Sequence, residues 1–196
     1  IPQSKQTRFL YVLPQDDQNA LVEYTVFSKE LLKNNEYEKG IEKYLTKIGV
    51  TDYEIEEKEH GNIPMSCYPF NKNNTHCLLH IGTAGGWTKA STGFTFMNTV
   101  RQISRLVSFL KTEQPLTAFH EKSRFWYYDL LFLDVLDKFN EKGSQLFIQM
   151  FKKNPPLRIF RFLDQKTSFK EELLVLSSFS FKQIGWFISA FLKRVF

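Results

Sequence analysis

Apolar positions alternate early in the chain and recur at helical spacing later. Residues 9–13 read Phe-Leu-Tyr-Val-Leu and stop at Pro14. They predict a strand. Residues 15–19 are all polar, and residues 20–27 form a second β-rich run, so the pair predicts a hairpin. Alternation in the second strand puts Leu21, Glu23 and Thr25 on one face and Val22, Tyr24 and Val26 on the other. Ser28 is an N-cap residue type ahead of an amphipathic run over residues 30–47, with Leu31, Leu32, Ile41, Tyr44, Leu45 and Ile48 as its apolar positions. Asn34-Asn35 would interrupt that helix and Gly49 would close it. Residues 53–58 alternate again and predict a strand, and residues 60–64 a loop.

Residues 77–81 form a short apolar run, predicted as a strand, that enters Gly82-Thr83-Ala84-Gly85-Gly86 directly. After Gly93 the period becomes helical, with Val100, Ile103, Leu106, Val107 and Leu110 on one stripe and Arg101, Arg105 and Lys111 off it. Further helices are expected over residues 125–139, broken at 140–143, and over 146–151, stopped by Pro155-Pro156. Ser168 and Glu171 match a capping box opening a helix through Leu176. An aromatic tail begins at Phe181. Strands come first and helices last, which is an α+β order. No internal repeat, low-complexity segment or clean linker divides the chain, so it reads as one structural unit with a helical end.

Composition adds a constraint. Of 196 residues, 20 are Phe against 3 Met and 3 Trp, more than ordinary packing calls for. A pocket for a long apolar ligand, or a face against lipid, would explain it. The net charge of +5 fits an anionic partner, but no nucleic-acid module is present, which favours a membrane surface over nucleic acid. Two cysteines, Cys67 and Cys77, make no disulfide framework and suit a reduced, cytoplasmic setting. No apolar run reaches the roughly 18 residues that would span a bilayer. The tail combines Trp186, Phe187, Phe191 and Phe196 with Lys182, Lys193 and Arg194, a mixture suited either to a core helix or to one lying in a membrane interface.

A strand that ends in glycines and feeds a helix is an anion-binding device, because small residues let the backbone approach and helix N-terminal N–H groups point at the ligand. The run at residues 81–93 fits neither the Gly-x-Gly-x-x-Gly dinucleotide fingerprint nor the P-loop, since Lys89 has no glycine before it. On spacing alone, a tight turn between core elements explains it equally well. The cluster His76-Cys77-Leu-Leu-His80 offers two histidines on one face with no second group at metal spacing, so no metal is assigned. Asp129, Asp134 and Asp137 read as a solvated helix face.

The longer pattern is more specific. Ile-Gly-Thr-Ala-Gly-Gly-Trp-Thr-Lys-Ala-Ser-Thr-Gly-Phe-Thr-Phe, residues 81–96, resembles the second flavin-contacting motif of the lycopene cyclases. Leu-Val-Glu-Tyr-Thr, residues 21–25, is similar to that family's acidic motif. Gly-Asn-Ile-Pro-Met, residues 61–65, resembles its glycine–isoleucine–proline–methionine segment. Residues 157–163, with Ser168 and Glu171, look like its C-terminal arginine–phenylalanine–leucine region, and residues 126–134 resemble a helix near its substrate cavity. The resemblance covers nearly the whole chain.

The resemblance implies part of an FAD-binding two-domain hydroxylase-like fold. Residues 1–80 would supply substrate-domain strands and a helix, residues 81–112 the flavin motif and its helix, and residues 113–196 a helical, membrane-facing region. It implies cyclisation of lycopene ends to ionone rings, giving β-carotene, with reduced FAD and NAD(P)H as reductant. Glu23 would be the acid. Gly82, Thr83, Ala84, Gly85, Gly86, Thr92 and Gly93 would contact the flavin, and Tyr24, Trp87, Phe94 and Phe96 the polyene. Without the resemblance, Glu23 is simply a surface residue of an edge strand and each aromatic is ordinary core. The missing earlier glycine fingerprint implies that the adenine-side half of the site lies before Ile1, so that this C-terminal portion alone would be inactive. A related flavin-dependent prenyl reductase or hydroxylase, and a non-catalytic carotenoid- or lipid-binding module, are the alternatives.

Overall fold

The computed structural model describes residues 6–120 and 123–195. Phe196, expected on the aromatic tail, lies outside the described residues. The chain divides into two compact units. The first comprises Ile1–Gly61 with Lys138–Phe147, the second Asn62–Asp137 with Ile148–Phe196.

The first unit is built on the expected hairpin. Strands β1 (Thr7–Pro14) and β2 (Ala20–Phe27) pair antiparallel, from Thr7 opposite Phe27 to Pro14 opposite Ala20. The polar loop closes through Asp16, whose carboxylate accepts from the amides of Gln18 at 2.8 Å and Asn19 at 2.7 Å. Those bonds hold its carboxyl below the usual carboxylate range, the Asn19 side-chain amide contributing most. Helix α1 (Asn34–Lys47) packs on β2. Gly40 is required there, because a Cβ would come within 2.5 Å of the Tyr24 ring. Residues 138–147 return to the hairpin's other end. Asn140 accepts from the Thr7 amide at 2.5 Å and from its hydroxyl at 2.7 Å, and donates to the Phe27 carbonyl at 2.9 Å. Phe27 meets Phe147 at 5.8 Å.

Three expectations for this unit need correcting. Ser28 does not cap α1. Its hydroxyl accepts from Glu30 N and the Gln6 side chain, while Lys33 stands at the cap and Glu36 closes a box onto its amide. Asn34-Asn35 therefore open the helix rather than interrupt it, and Gly49, at φ +82°, ends it as expected. Residues 53–58 form no strand. Their alternation is not matched by any partner edge, and isolated β-periodic segments gain no ladder hydrogen bonds.

The second unit is mostly helical. It contains α2 (Phe96–Phe109), α3 (Arg124–Phe139), α4 (Gly143–Lys153), α5 (Pro156–Leu163), α6 (Phe169–Leu176) and α7 (Phe181–Val195), with the end of α3 and the start of α4 belonging to the first unit. Helix α4 ends at Lys153, just ahead of Pro155-Pro156 as expected. Pro156 also opens α5, sitting in its first turn, where its missing N–H is not needed. The capping box is present, with the Glu171 amide donating to Ser168 Oγ at 3.4 Å and the Ser168 amide donating to Glu171 Oε2 at 2.8 Å. Phe125, Val135, Leu136, Ile159, Val175 and Phe179 are among its core residues. Residues 77–81 form no strand. The Asn74 side chain takes the His80 amide at 3.0 Å instead, holding this segment in an irregular loop. The α2 stripe is also exposed rather than buried, with Phe96 77%, Val107 54% and Leu110 60% accessible. No single described helix is long and apolar enough to cross a membrane. The pair α6 and α7, bent by 115°, passes together by length and composition.

Candidate functional site

The candidate residues lie in both units. Glu23 and Tyr24 belong to the first, and the glycine run with Trp87, Phe94 and Phe96 to the second.

On the hairpin, register partners share a face. Thr7, Phe9, Tyr11 and Leu13 of β1 therefore lie on the same side as Phe27, Thr25, Glu23 and Leu21 of β2. Among the eight described strand residues of this face Glu23 supplies the carboxylate, framed by Phe9, Leu13 and Leu21, which are 36%, 52% and 47% exposed. Both its oxygens are engaged. The Tyr11 hydroxyl donates to Oε2, and the Thr25 hydroxyl donates to Oε1 at 2.8 Å. Partial burial, then the hydrogen bond and charge of Glu23, push the Tyr11 phenol up to about 12. Glu23 itself is exposed, so the described residues do not supply the shelter from water that protonating an alkene requires. Tyr24 projects to the opposite face, over Gly40 and edge-on to Tyr37 at 6.1 Å.

The glycine run is a series of tight turns. Gly82, Gly86 and Gly93 have φ of +58°, +73° and +78°. A Cβ on Gly85 would collide with the His80 carbonyl oxygen, and one on Gly86 would come within 2.9 Å of Phe70. At these two positions glycine is demanded by the chain's own packing. Several amides are spent inside the loop as well: Gly85 and Trp87 donate to Gly82 O, Gly86 to Thr83 O, and Gly93 to Lys89 O. They are not aimed outward at an anion. Two features remain for a ligand. Gly82 would carry a Cβ into open space. The Thr92 hydroxyl oxygen is buried with no hydrogen-bond partner among the described residues, the kind of orphan that a polar ligand edge satisfies. The run thus fits a polar cofactor edge through Gly82 and Thr92, not through a helix N-terminus. Trp87 is core, edge-on to Phe119 at 6.3 Å, whereas Phe94 and Phe96 are 52% and 77% exposed. Thr83 and Ala84 complete the first turn. Thr83 also accepts from the Thr88 hydroxyl at 3.1 Å.

Lys89 and Asp129 have functions in the packing that their sequence context does not announce. Lys89 is 2% exposed and its ammonium sits 2.5 Å from Asp129 Oδ1, which also accepts from Ser91 Oγ at 2.6 Å. This pair locks the glycine run to α3. Asp134 forms a two-pronged pair with Arg194 at 2.7 and 2.8 Å. Asp129 and Asp134 are therefore not part of a solvated face, whereas Asp137 is exposed as expected. Cys67 lies near this cluster, and burial, with the Asp129 charge second, pushes its thiol up to about 12, which leaves it inert. Among the described residues no group of three or more metal-ligating side chains occurs. Tyr11 was detectable in the sequence. A hairpin pairing Pro14 with Ala20 places residue 11 opposite residue 23.

The family described as "Lycopene cyclase protein" matches residues 1–185. The chain belongs to the lycopene cyclase family, which assigns it a cyclase-type role in carotenoid biosynthesis. No curated protein and no solved structure matches it.

Proposed function

We propose that the protein to which this chain belongs cyclises the ψ-ends of lycopene to β-ionone rings, giving β-carotene, with Glu23 as the proton donor. The observation that carries this reading is that, in a chain of this family, the Glu23 carboxylate lies on a hairpin face beside the exposed apolar side chains of Phe9, Leu13 and Leu21. The Glu23 carboxyl transfers its proton to the terminal alkene carbon, breaking an O–H bond and forming a C–H bond. The neighbouring double bond closes on the resulting cation to form the ring C–C bond. The adjacent ring carbon then loses a proton, which returns to the Glu23 carboxylate directly or through solvent, leaving the ring double bond, so the sequence is an isomerisation with no net oxidation. General acid catalysis of this kind contributes about 100- to 10,000-fold.

Gly82 and Thr92 would hold an edge of the FAD, with Thr83, Ala84, Gly85, Gly86 and Gly93 shaping the turn that presents them. The chemistry contributed by bound reduced FAD is electron-rich stabilisation of the cation, with NAD(P)H keeping it reduced. Apolar cover over the Glu23 face, from the polyene and from further protein, would exclude water there. Phe94 and Phe96, both exposed, remain candidates for contact with the polyene. Uptake of a carotenoid from lipid fits peripheral association with the membrane, on its cytoplasmic side. Anaerobic incubation of the full-length protein with lycopene, FAD and NAD(P)H should yield β-rings. Glu23→Gln should abolish product while flavin stays bound. Retained turnover in Glu23→Gln would remove Glu23 from the mechanism.

A further inference from the structure

We propose that Tyr11 is a positioning residue for Glu23, holding its carboxylate, together with Thr25, in the orientation from which the proton is delivered. The inference rests on Glu23 as the acid, and it is carried by geometry. Tyr11 is the register partner of Glu23 across the hairpin, on the same face, and its hydroxyl donates to Oε2. Thr25, two residues along the same strand, donates to Oε1 at 2.8 Å. One oxygen is thus held from each strand, which fixes the plane of the carboxylate on an otherwise free surface side chain.

The arrangement is complementary to the state after proton transfer. An ionised carboxylate only accepts, and it meets two hydroxyl donors here. A protonated Glu23 has one proton of its own to place, and a hydroxyl that both donates and accepts can rotate to release it. The hydrogen bonds that strengthen as negative charge develops on Glu23 favour the transition state over the ground state. The Tyr11 ring is itself fixed, stacked on Phe9 at 6.4 Å. The charged groups facing the phenol are Glu23 and Glu59.

The test uses the full-length protein. Tyr11→Phe keeps the ring and its Phe9 contact and removes only the hydroxyl. It should lower kcat by about tenfold, the worth of one hydrogen bond to a charged group. The KM for lycopene and the flavin content should not change, whereas general damage to the fold would move all three. Thr25→Ser should retain turnover and Thr25→Val should lose it. Wild-type kcat in Tyr11→Phe overturns the proposal while leaving the cyclase reading intact. A wild-type protein that never cyclises lycopene sinks that reading instead. The pairing is then judged by ¹³C titration of tyrosine ring carbons, the Tyr11 signal being assigned from its loss in Tyr11→Phe. A Tyr11 phenol titrating near 12 in the wild type and lower in Glu23→Gln supports the contact. An identical titration in both overturns it.

Discussion

Two buried carboxylates show how differently the same side-chain chemistry is used. Glu172 is fully buried and receives Arg124 at 2.6, 2.8 and 3.0 Å, Tyr128 at 2.9 Å and Thr167 at 3.4 Å. The Arg124 guanidinium, more than any other group, holds its carboxyl below the usual range. A carboxyl lowered in the folded state adds stability above its unfolded value, near 4.3, and that stability is lost as pH falls through the folded value. The denaturant midpoint of the wild type should therefore be flat from about pH 7 to 5 and fall below about pH 4, and Glu172→Gln should flatten the Glu172 part of that fall. Because Arg124 is half exposed, Arg124→Met should lower the denaturant midpoint by less than breaking a fully dry pair would. Lys89 and Asp129 are dry on both sides. Lys89→Met strands a buried carboxylate and should cost about 3–5 kcal/mol, while Lys89→Met with Asp129→Leu should recover most of it. A double-mutant cycle in urea measures that coupling.

At the scale of elements, the glycine run separates residues required by the chain from residues left for a ligand. Gly85→Ala should destabilise the second unit, because the new methyl meets the His80 carbonyl. Gly82→Ala should cost only about 1 kcal/mol, the price of a positive φ in open space, yet weaken flavin retention in the full-length protein if Gly82 faces the cofactor. Thermal unfolding and flavin fluorescence read the two effects separately. The exposed stripe of α2 makes a similar contrast. Ile103→Gln and Val107→Gln should each change stability by less than about 0.5 kcal/mol, whereas Leu136→Ala, at a position 4% exposed, should cost about 2–5 kcal/mol. These contrasts also mark what was legible in the sequence. The hairpin, the Ser168 capping box and the face carrying Glu23 all follow from local signals such as alternation, turn residues and cap chemistry. The strands expected at residues 53–58 and 77–81 fail because a strand needs a partner edge, and periodicity within one segment does not report one. Lys89 with Asp129 was illegible for the same reason. The two are 40 residues apart, and only packing brings them together.

The chain carries a net charge of +5 and exposes aromatic and aliphatic side chains along its helical end. On α7, Gln183 and Ala190 face inward, while Phe181 is 95% exposed and Ile188, Leu192 and Val195 are about half exposed, at 53%, 47% and 55%. These four recur at positions 181, 188, 192 and 195, one stripe along a helix that also bears exposed Lys182 and Lys193. The far end of the helix is tied down by the Arg194–Asp134 pair, so the stripe is presented by an anchored element. Under the membrane association proposed above, a helix with this apolar stripe and flanking lysines would lie in the interface. Burying an apolar side chain there contributes about 1.5–3 kcal/mol when complete, and each lysine near an anionic surface about 1 kcal/mol. The full-length protein should co-sediment with vesicles containing phosphatidylglycerol. Phe181→Ser, Ile188→Ser and Leu192→Ser together should reduce that partitioning by about tenfold or more. Raising the salt should weaken, without abolishing, the binding of the wild type, because the apolar share is unscreened. Binding that survives the triple substitution but vanishes in high salt would place the contact on basic residues elsewhere. Arg194→Ala, which frees the end of α7 while leaving the stripe intact, should lower affinity less than the triple substitution does.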